Sequence, residues 1–420
     1  MHNIFPNIEP QIISYAEHAE EECRKYYVRV EENALYNQNK VLNAFRDHKV
    51  SDYHLHGSTG YGYGDRAREV IDELYKDIFH CEKAIVRPQI VSGTHAIATA
   101  LLAVAEKGKE YIFATGEPYD TLLNIIGPES KKLTLSYMGV TSKIIPLKDD
   151  IPDEDEIIKN ITSNTSLVFI QRSRGYALRP SLSIERIALL IKAIKAKNHD
   201  IICFVDNCYG ELVERLEPTD VGADLIAGSL IKNIGGGIAP TGGYIAGKAD
   251  LVELSAERLT APGIGSEVGA TSGFARLFLQ GLFMAPSIVK SALCGAIFSA
   301  RFFELLGYTV FPRYDSYRTD IIQTLRLDSP EKVISFCKAL QKYSPIDSGV
   351  TPEPWDMPGY NSKIIMAGGT FIQGSSIELS ADAPIRPPYA VFMQGGLSKE
   401  HVQIAAIHAA QEILGSEEDI

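Results

Sequence analysis

The sequence predicts an α/β fold in which helices cover both faces of a mostly parallel sheet, followed by a smaller C-terminal α+β domain. Two observations predict this class. Between residues 83 and 250, short apolar runs that are typical of buried strands alternate with segments of helical periodicity. From about residue 290 onward the alternation ends, and a long helical segment leads into mixed strands and helices.

The elements of the first part follow in chain order. Residues 12–41 are rich in Glu, Lys and Ala and predict one or two helices, followed by a polar, glycine-rich stretch from His54 to Glu69. The predicted strands are KAIVRPQIV, EYIFATG, SLVFIQRS, DIICFVDN, DLIAGSL and GGYIAGK. Between them, SGTHAIATALLAVAEKG and SIERIALLIKAIKAKN predict helices, and Ser183 is placed to cap the second of these.

In the second part, SIVKSALCGAIFSARFFELLG predicts a long helix. A further helix begins at Pro330, because proline suits the first helical position. Its apolar stripe is Val333, Phe336, Cys337 and Leu340. We therefore expect three regions: an N-terminal helical segment at 1–50, a large domain at 51–289 and a smaller α+β domain at 290–420.

The composition is that of a folded, acidic chain. It has 420 residues, of which 45% are hydrophobic and 22% charged, so disorder is not expected. The formal net charge of -12 argues against nucleic acid or an anionic membrane as a partner. We find no signal peptide, no apolar run of membrane-spanning length and no CxxC pair among six cysteines. We expect a cytoplasmic protein with reduced cysteines and no metal site.

Two candidate ligand contacts follow the first predicted strands. SGTHA lies at a strand-to-helix turn, where the free N–H groups and the helix dipole favour an anion such as phosphate. Ser92, Gly93 and Thr94 are the candidate residues, and a plain helix cap is the alternative. Tyr119, just after EYIFATG, is placed to stack on a planar ring, and an ordinary half-buried aromatic is the alternative.

Two ionisable residues follow later strands. Asp206 closes an apolar strand, so its carboxylate needs a cationic or hydrogen-bonding partner; capping the next turn is the alternative role. Lys232 follows DLIAGSL and precedes a glycine-rich loop. Apolar surroundings are expected to disfavour its ammonium form and so to favour a covalent bond to an aldehyde. Pairing with a carboxylate is the alternative, and the glycines match no nucleotide-binding spacing.

Together, an anion site, an aromatic face, an acid and a lysine are the parts that pyridoxal 5'-phosphate (PLP) requires. The chain resembles fold-type I PLP enzymes of cysteine and methionine metabolism, which implies a seven-stranded type of sheet. Within that group it is similar to the methionine gamma-lyase or aluminium-resistance family, also described as cystathionine beta-lyases. The motifs that carry the resemblance span nearly the whole chain: TGYGYGDRARE, VSGTHAIATAL, QRSRGY, VDNCYGE, GSLIKNIGGGIAPTGGYIAG, GSSIELSADAPIRPPY and MQGGL.

The resemblance implies a role for each candidate residue. Lys232 is implied to bond covalently to PLP and to move protons, Asp206 to keep the pyridine nitrogen protonated, and Tyr119 to stack on the ring. The phosphate contacts come from Gly93, Thr94 and Ser229. A neighbouring subunit is implied to add further contacts, which makes the protein a homodimer or homotetramer with shared sites. The residues at that position are Tyr61, Tyr63 and Arg66.

The chain departs from its better-known relatives at two positions. Ile231 stands directly before the lysine, where the relatives have a hydroxyl residue. Glu378 stands where they have the arginine that binds the substrate carboxylate. Arg386 is the expected substitute, because a guanidinium grips a carboxylate with two hydrogen bonds. Arg172 and Arg174 are the next candidates.

The function that the resemblance implies is a PLP-dependent carbon–sulfur lyase. It would act on a sulfur-containing amino acid, by elimination of the cystathionine beta-lyase or methionine gamma-lyase type. Aminotransferase or decarboxylase activity on the same fold is an alternative, because fold does not fix the reaction. A non-catalytic PLP-binding protein is a third, although the presence of both Asp206 and Lys232 argues against it.

Overall fold

A computed structural model describes residues 4–357 and 362–418, without the side chains of residues 416–418. Its helices are α1 (Pro10–Asp47), α2 (Arg66–Ile78), α3 (Gly93–Ala103), α4 (Asp120–Ile126), α5 (Glu154–Asn160), α6 (Ile184–Lys197), α7 (Ala249–Leu259), α8 (Ala275–Leu305), α9 (Pro330–Lys342) and α10 (Lys399–Glu418). Its strands are β1 (Lys83–Arg87), β2 (Glu110–Phe113), β3 (Thr141–Ile144), β4 (Leu147–Lys148), β5 (Ile151–Pro152), β6 (Thr165–Gln171), β7 (Ile202–Asp206), β8 (Leu225–Ser229), β9 (Gly243–Gly247), β10 (Thr309–Phe311), β11 (Ile322–Arg326), β12 (Ile364–Ala367), β13 (Ser380–Pro384) and β14 (Ala390–Gln394).

The chain divides into two compact units. We call the unit formed by Tyr36–Gly175 and Arg179–Ala285 the large unit. The small unit comprises Met1–Leu35, Tyr176–Leu178 and Pro286–Ile420. The predicted boundaries after residues 50 and 289 stay predictions.

The large unit is built on a seven-stranded sheet with the strand order β1-β9-β8-β7-β6-β2-β3. Strands β8, β7, β6, β2 and β3 run parallel to one another, which confirms the predicted mostly parallel sheet. Strand β9 is the exception, since it is antiparallel to both β8 and β1. The cause is the connection at residues 230–242, which contains a short 3₁₀ turn at Asn233–Gly235 but no crossover helix.

Helices cover both faces of this sheet, because apolar residues alternate between two cores along each central strand. Val168 and Val205 belong to the core that includes the apolar faces of α2 and α6. Their neighbours Phe169 and Phe204 belong to the other core, with residues of α3 and α7. This two-sided burial is the reason that the central strands read as continuous apolar runs.

The predicted helix starts are confirmed where they were specified. The Ser183 hydroxyl accepts a hydrogen bond from the backbone N–H of Arg186 (3.1 Å), and the Ser329 hydroxyl accepts one from Lys332 (3.3 Å). Pro330 is the first residue of α9, whose predicted apolar stripe is buried. The N-terminal segment forms the single helix α1, 38 residues long.

The small unit contains a five-stranded antiparallel sheet with the strand order β10-β11-β14-β13-β12. Residues of α9 and α10, and Ile12 and Ile13 of α1, bury their side chains in the core of this unit. The predicted α+β character is therefore confirmed.

Helix α8 begins earlier in the chain than the predicted helix SIVKSALCGAIFSARFFELLG. It begins at Ala275, includes Pro286 and ends at Leu305. By length and composition it is the one helix of the described residues that passes as a membrane span, so the prediction that no apolar run approaches that length is wrong. Within its most apolar window, 67% is buried inside the protein, which is typical of a core helix.

Candidate active site

The candidate site lies where three parallel strands end in the large unit. Strand β6 ends at Gln171, β7 at Asp206 and β8 at Ser229, and in-register pairing brings these ends to one edge of the sheet. Helix α3 begins at the same edge. A methyl group added at Gly93 would lie 3.3 Å from Cβ of Ser229 and 3.9 Å from Nζ of Lys232. Predicted contacts from different motifs therefore meet here, at the edge where open α/β sheets bind ligands.

Lys232 is half-buried, and its Nζ lies 3.9 Å from the centroid of the Tyr209 ring. Burial disfavours its ammonium, but attraction to Cys208, Tyr209, Asp206 and others outweighs burial and holds the pKa of Lys232 well above its ordinary value. The expectation that apolar surroundings lower this pKa is therefore wrong. The lysine rests as an ammonium and must lose a proton before it acts as a nucleophile.

Asp206 is buried and has several partners. Its carboxylate accepts hydrogen bonds from the backbone N–H of Cys208, 3.1 Å from Oδ1, and from the Cys208 thiol. Burial raises the pKa of Asp206, while Lys232, the two Cys208 donors and Arg179 oppose that rise. Because burial disfavours the charged form of Asp206, a further cation beside the carboxylate would stabilise it.

Tyr119, Thr94 and Ser92 occupy the helix starts beside the sheet edge. Tyr119 is the half-buried N-cap residue of α4, and burial raises its pKa well above the ordinary value despite a hydrogen bond to Thr94. The Thr94 hydroxyl also lies 3.3 Å from that of Thr121. The Ser92 hydroxyl accepts the N–H of His95 (3.0 Å), which is the plain helix cap that was the alternative for this residue.

Ser229 carries a polar atom that needs a partner. Its side chain is only 1% exposed, and no residue that the structure describes forms a hydrogen bond with its Oγ. Buried hydroxyls normally have a hydrogen-bond partner, so a bound ligand is a natural one.

The glycine-rich loop after Lys232 is closely packed rather than flexible. A methyl group at Gly235 would lie 1.7 Å from the carbonyl oxygen of Leu230, and one at Gly281 of α8 would lie 2.3 Å from the carbonyl oxygen of Gly235. Gly236 adopts a left-handed conformation, with φ of 58°. The glycines let the backbone approach α8, and they do not form a phosphate-binding loop of their own.

The arginines of QRSRGY are buried in the large unit. The fully buried guanidinium of Arg172 donates to Oδ1 of Asn207 (2.7 Å) and pairs with Glu214 (2.9 Å) and Glu217 (3.5 Å). These partners hold Arg172 within the protein and speak against its role as a substrate clamp. Arg174 is also buried.

The C-terminal candidates belong to the small unit. Arg386 is exposed in the turn after β13, where its N–H donates to the carbonyl of Pro384 (2.9 Å). Asp382, the alternative partner for Arg386, accepts hydrogen bonds from Tyr176 (3.2 Å) and Gln394 (3.1 Å). Glu378 is buried, and its carboxylate accepts the N–H groups of residues 371 (2.8 Å) and 372 (3.0 Å). Glu378 therefore fixes a loop.

Tyr61, Tyr63 and Arg66 project from an ordered loop of the large unit. The two tyrosine side chains are 76% and 71% exposed, and Arg66 is exposed at the start of α2. Asp65 holds this loop, since its carboxylate accepts the N–H (2.9 Å) and hydroxyl (2.8 Å) of Thr271. The loop is preorganised while its aromatic side chains face outward.

Sequence reasoning missed three site residues that follow Asp206 in the chain. Cys208 binds Asp206, Tyr209 lies beneath Lys232, and Glu211 accepts a hydrogen bond from the Tyr244 hydroxyl (2.9 Å). The motif VDNCYGE contains all three, so their closeness to Asp206 was a usable signal. Their contacts with Lys232 and Tyr244 depend on chain folding and carry no sequence signal.

The profile of the family described as methionine gamma-lyase matches residues 12–414. The chain belongs to the methionine gamma-lyase family. The protein YnbB of Bacillus subtilis is 49% identical to this chain over 393 residues, which cover 92% of each chain. The predicted family is therefore confirmed.

Solved structures agree with this membership. A carbon-sulfur lyase involved in aluminium resistance from Clostridium novyi is 48% identical, with a TM-score of 0.93 and 97% of both chains covered. A candidate cystathionine beta-lyase involved in aluminium resistance from Clostridium acetobutylicum is 47% identical, with a TM-score of 0.95, and 98% of this chain and 97% of that chain are covered.

A more distant structure shows how widely the fold is shared. The pyridoxal-5'-phosphate-dependent protein YhfS of Escherichia coli is 16% identical, with a TM-score of 0.59 over 91% of this chain and 96% of that one. The methionine gamma-lyase family member described here has the same fold, which confirms the predicted fold-type I class.

Proposed function

We propose that this protein is a PLP-dependent carbon–sulfur lyase that cleaves a sulfur-containing amino acid by elimination of the cystathionine beta-lyase or methionine gamma-lyase type. The observation that carries the proposal is the meeting of Lys232 with Gly93 and Ser229 at the edge of the sheet where Asp206 ends its strand. Membership of the methionine gamma-lyase family and likeness to the carbon-sulfur lyase of Clostridium novyi support it.

The residues present fit PLP. The buried Ser229 hydroxyl, which has no partner among the described residues, and the first N–H groups of α3 at Gly93 and Thr94 suit a phosphate. The buried carboxylate of Asp206 suits a protonated ring nitrogen. Lys232 suits the aldehyde, and Tyr119 at the start of α4 suits the ring face.

PLP, when bound, supplies an electron-withdrawing ring that stabilises the negative charge developing at Cα of an attached amino acid. Asp206 would hold the proton at the ring nitrogen, and Cys208 would keep the Asp206 carboxylate oriented. Nζ of Lys232 would remove the proton from Cα and then donate a proton to the leaving sulfur or to the product carbon.

We extend the proposal to assembly and surroundings. An ordered loop that exposes Tyr61, Tyr63 and Arg66 supports a homodimer or homotetramer in which a second copy completes each site. The net charge of -12 supports a cytoplasmic enzyme that acts on a small amino acid and has no nucleic-acid or membrane partner. Arg386 remains the proposed clamp for the substrate carboxylate.

A substrate panel on the purified holoenzyme tests the proposed function. Cystathionine and methionine should yield a thiol, ammonia and a 2-oxo acid in equal amounts, and Lys232→Ala should abolish this release. An exchanged amino group without ammonia would indicate an aminotransferase, and carbon dioxide a decarboxylase, and either result would overturn the proposal.

Borohydride reduction followed by peptide mapping identifies the cofactor lysine. The label should fall on Lys232 and not on Lys248, which ends the same glycine-rich segment and pairs with Asp224 (2.8 Å). Lys248→Ala is therefore the matched control, and it should retain both the label and the activity.

A further inference from the structure

The face of the Tyr209 ring lies directly beside the candidate nucleophile. Nζ of Lys232 is 3.9 Å from the ring centroid, well inside the range of about 6 Å over which an aromatic face attracts a cation. Both side chains are half-buried, so water screens the contact less than it would at the surface. The ring face is therefore a defined binding position for the ammonium of Lys232.

Tyr209 is held in a conformation that an aromatic residue adopts only under constraint. Its φ is 69°, in the left-handed region. The constraint comes from Asn233, whose Nδ2 donates to the carbonyl oxygens of Tyr209 (3.0 Å) and Glu211 (3.0 Å). Asn233 is fully buried and directly follows Lys232. The residue next to the lysine therefore also fixes the ring that the lysine contacts.

A second support lies behind the same segment. A methyl group at Gly210 would lie 2.5 Å from Cδ and Nε of Arg172. The Arg172 guanidinium cannot easily move away, because it is bound to Asn207 (2.7 Å) and Glu214 (2.9 Å). The backbone that carries Tyr209 is therefore packed against Arg172 and hydrogen-bonded to Asn233.

We propose that Tyr209 is a positioning residue whose ring face holds the ammonium of Lys232 beside Gly93 and Asp206 whenever the lysine is not bonded to the cofactor. This inference rests on the proposed function, in which Lys232 is the cofactor lysine. Asn233 and Arg172 act on Lys232 indirectly, because they hold the Tyr209 backbone in place. The ring keeps Nζ close to the site of proton transfer while Lys232 is free.

The ring is one of several groups that act on the charge of Lys232. The ionisable groups that face it come from the end of β7, from the segment after it and from the start of α4, and they are Asp206, Cys208, Tyr209, Glu211 and Tyr119. A ring face stabilises the ammonium, so replacing the ring with an aliphatic side chain lowers the pKa of the lysine. The other four groups stay unchanged in such a variant, so the effect of the ring is separable.

The experiment follows covalent capture of added PLP by the cofactor-free protein, without any substrate. The capture rate rises with pH as Lys232 loses its proton, and absorbance with borohydride trapping at Lys232 measures it. Tyr209→Leu should move this rise to lower pH by about one unit.

Two controls separate the ring from the phenol and from general damage. Tyr209→Phe keeps the ring and removes the phenol, and the pH of the rise should move much less than in Tyr209→Leu. An equal shift in the two variants would assign the effect to the phenol and overturn the proposal. Tyr308→Leu removes another half-buried ring beneath a lysine, Lys332 at 5.3 Å, in the small unit, and it should behave like the natural protein. A shift in Tyr308→Leu of the same size as in Tyr209→Leu would overturn the proposal.

A shape-preserving series keeps the test decisive if Tyr209→Leu fails to fold. The Tyr209→Phe variant is compared with variants that carry phenylalanines of increasing ring fluorination at the same position, which weakens the negative ring face while keeping its shape. The rise should move stepwise to lower pH, and an unchanged rise across the series would overturn the proposal. Failure of the proposed function looks different, since the natural protein itself would then carry no label on Lys232.

Discussion

Cys208 places two donors on the carboxylate of Asp206: its backbone N–H lies 3.1 Å from Oδ1, and its thiol donates to the same group. Both residues are buried, so these bonds fix the direction in which the carboxylate points. The thiol itself is a poor nucleophile, because burial and Asp206 raise the pKa of Cys208 well above its ordinary value. Cys208 is therefore a support for Asp206.

Asp206→Asn should keep PLP bound and slow the removal of the substrate Cα proton by about 100-fold or more, because a neutral amide cannot stabilise a protonated ring nitrogen. Exchange of the Cα proton for solvent deuterium, followed by NMR, measures this step. Cys208→Ser keeps a side-chain donor to Asp206 and should lose much less. Equal exchange rates in Asp206→Asn and the natural protein would refute the assignment.

Glu211 should make folding stability depend on pH. Burial raises the pKa of Glu211 from 4.5 to about 8, and the Glu217 carboxylate adds to the rise. A raised carboxyl pKa means that the folded state holds its proton more tightly than the unfolded state does. The resulting stabilisation is fully present below pH 4.5 and is lost as the pH rises through about 8.

Glu211→Gln should remove this dependence, because an amide stays neutral and still accepts the hydrogen bond of Tyr244. The free energy of unfolding, measured with urea between about pH 5 and pH 8, should fall less steeply in the variant than in the natural protein, by up to about 1.4 kcal/mol per pH unit. Parallel slopes for the two proteins would show that Glu211 is not protonated in the folded state.

Arg172 and Arg386 should respond differently to truncation. Arg172→Ala breaks a buried ion pair and should lower the free energy of unfolding by about 3–5 kcal/mol. Arg386 is exposed, so Arg386→Ala should leave stability nearly unchanged and weaken binding of an amino-acid substrate by about tenfold or more. Denaturant unfolding and spectral titration measure the two quantities, and unchanged binding in Arg386→Ala would move the clamp elsewhere.

Shared sites predict that two inactive variants restore each other. Lys232→Ala loses the lysine, while a Tyr63→Phe/Arg66→Ala chain loses the contacts proposed for a second copy. Mixed oligomers contain some sites with an intact lysine from one chain and an intact loop from the other, so part of the activity should return. If subunit exchange is proven by mass spectrometry and no activity returns, each chain contains a complete site.

The fold was predictable because its signals are local. Buried parallel strands read as apolar runs, and Ser183 and Ser329 mark helix starts by their spacing to the following apolar residues. The reversed strand β9 was also within reach, since the segment before it has no helix with which to cross the sheet.

The site was predictable where a residue stands at a strand end or shortly after one, as Asp206 and Lys232 do. The charge state of Lys232 was not predictable from the sequence. It depends on groups such as Tyr119, which folding brings close from a distant part of the chain. Arg172 illustrates the same limit, since a buried arginine that pairs with Glu214 has the same sequence signature as one that waits for a substrate.

The close packing at Gly235 and Gly281 has an evolutionary consequence. Neither position has room for a side chain, so the stretch of chain that presents Lys232 cannot diversify by ordinary substitution. New substrate preferences among descendants of this protein must then arise on other segments, whose side chains have space to change. The backbone that presents Lys232 then tolerates little change, and changes in substrate preference occur at the positions around it.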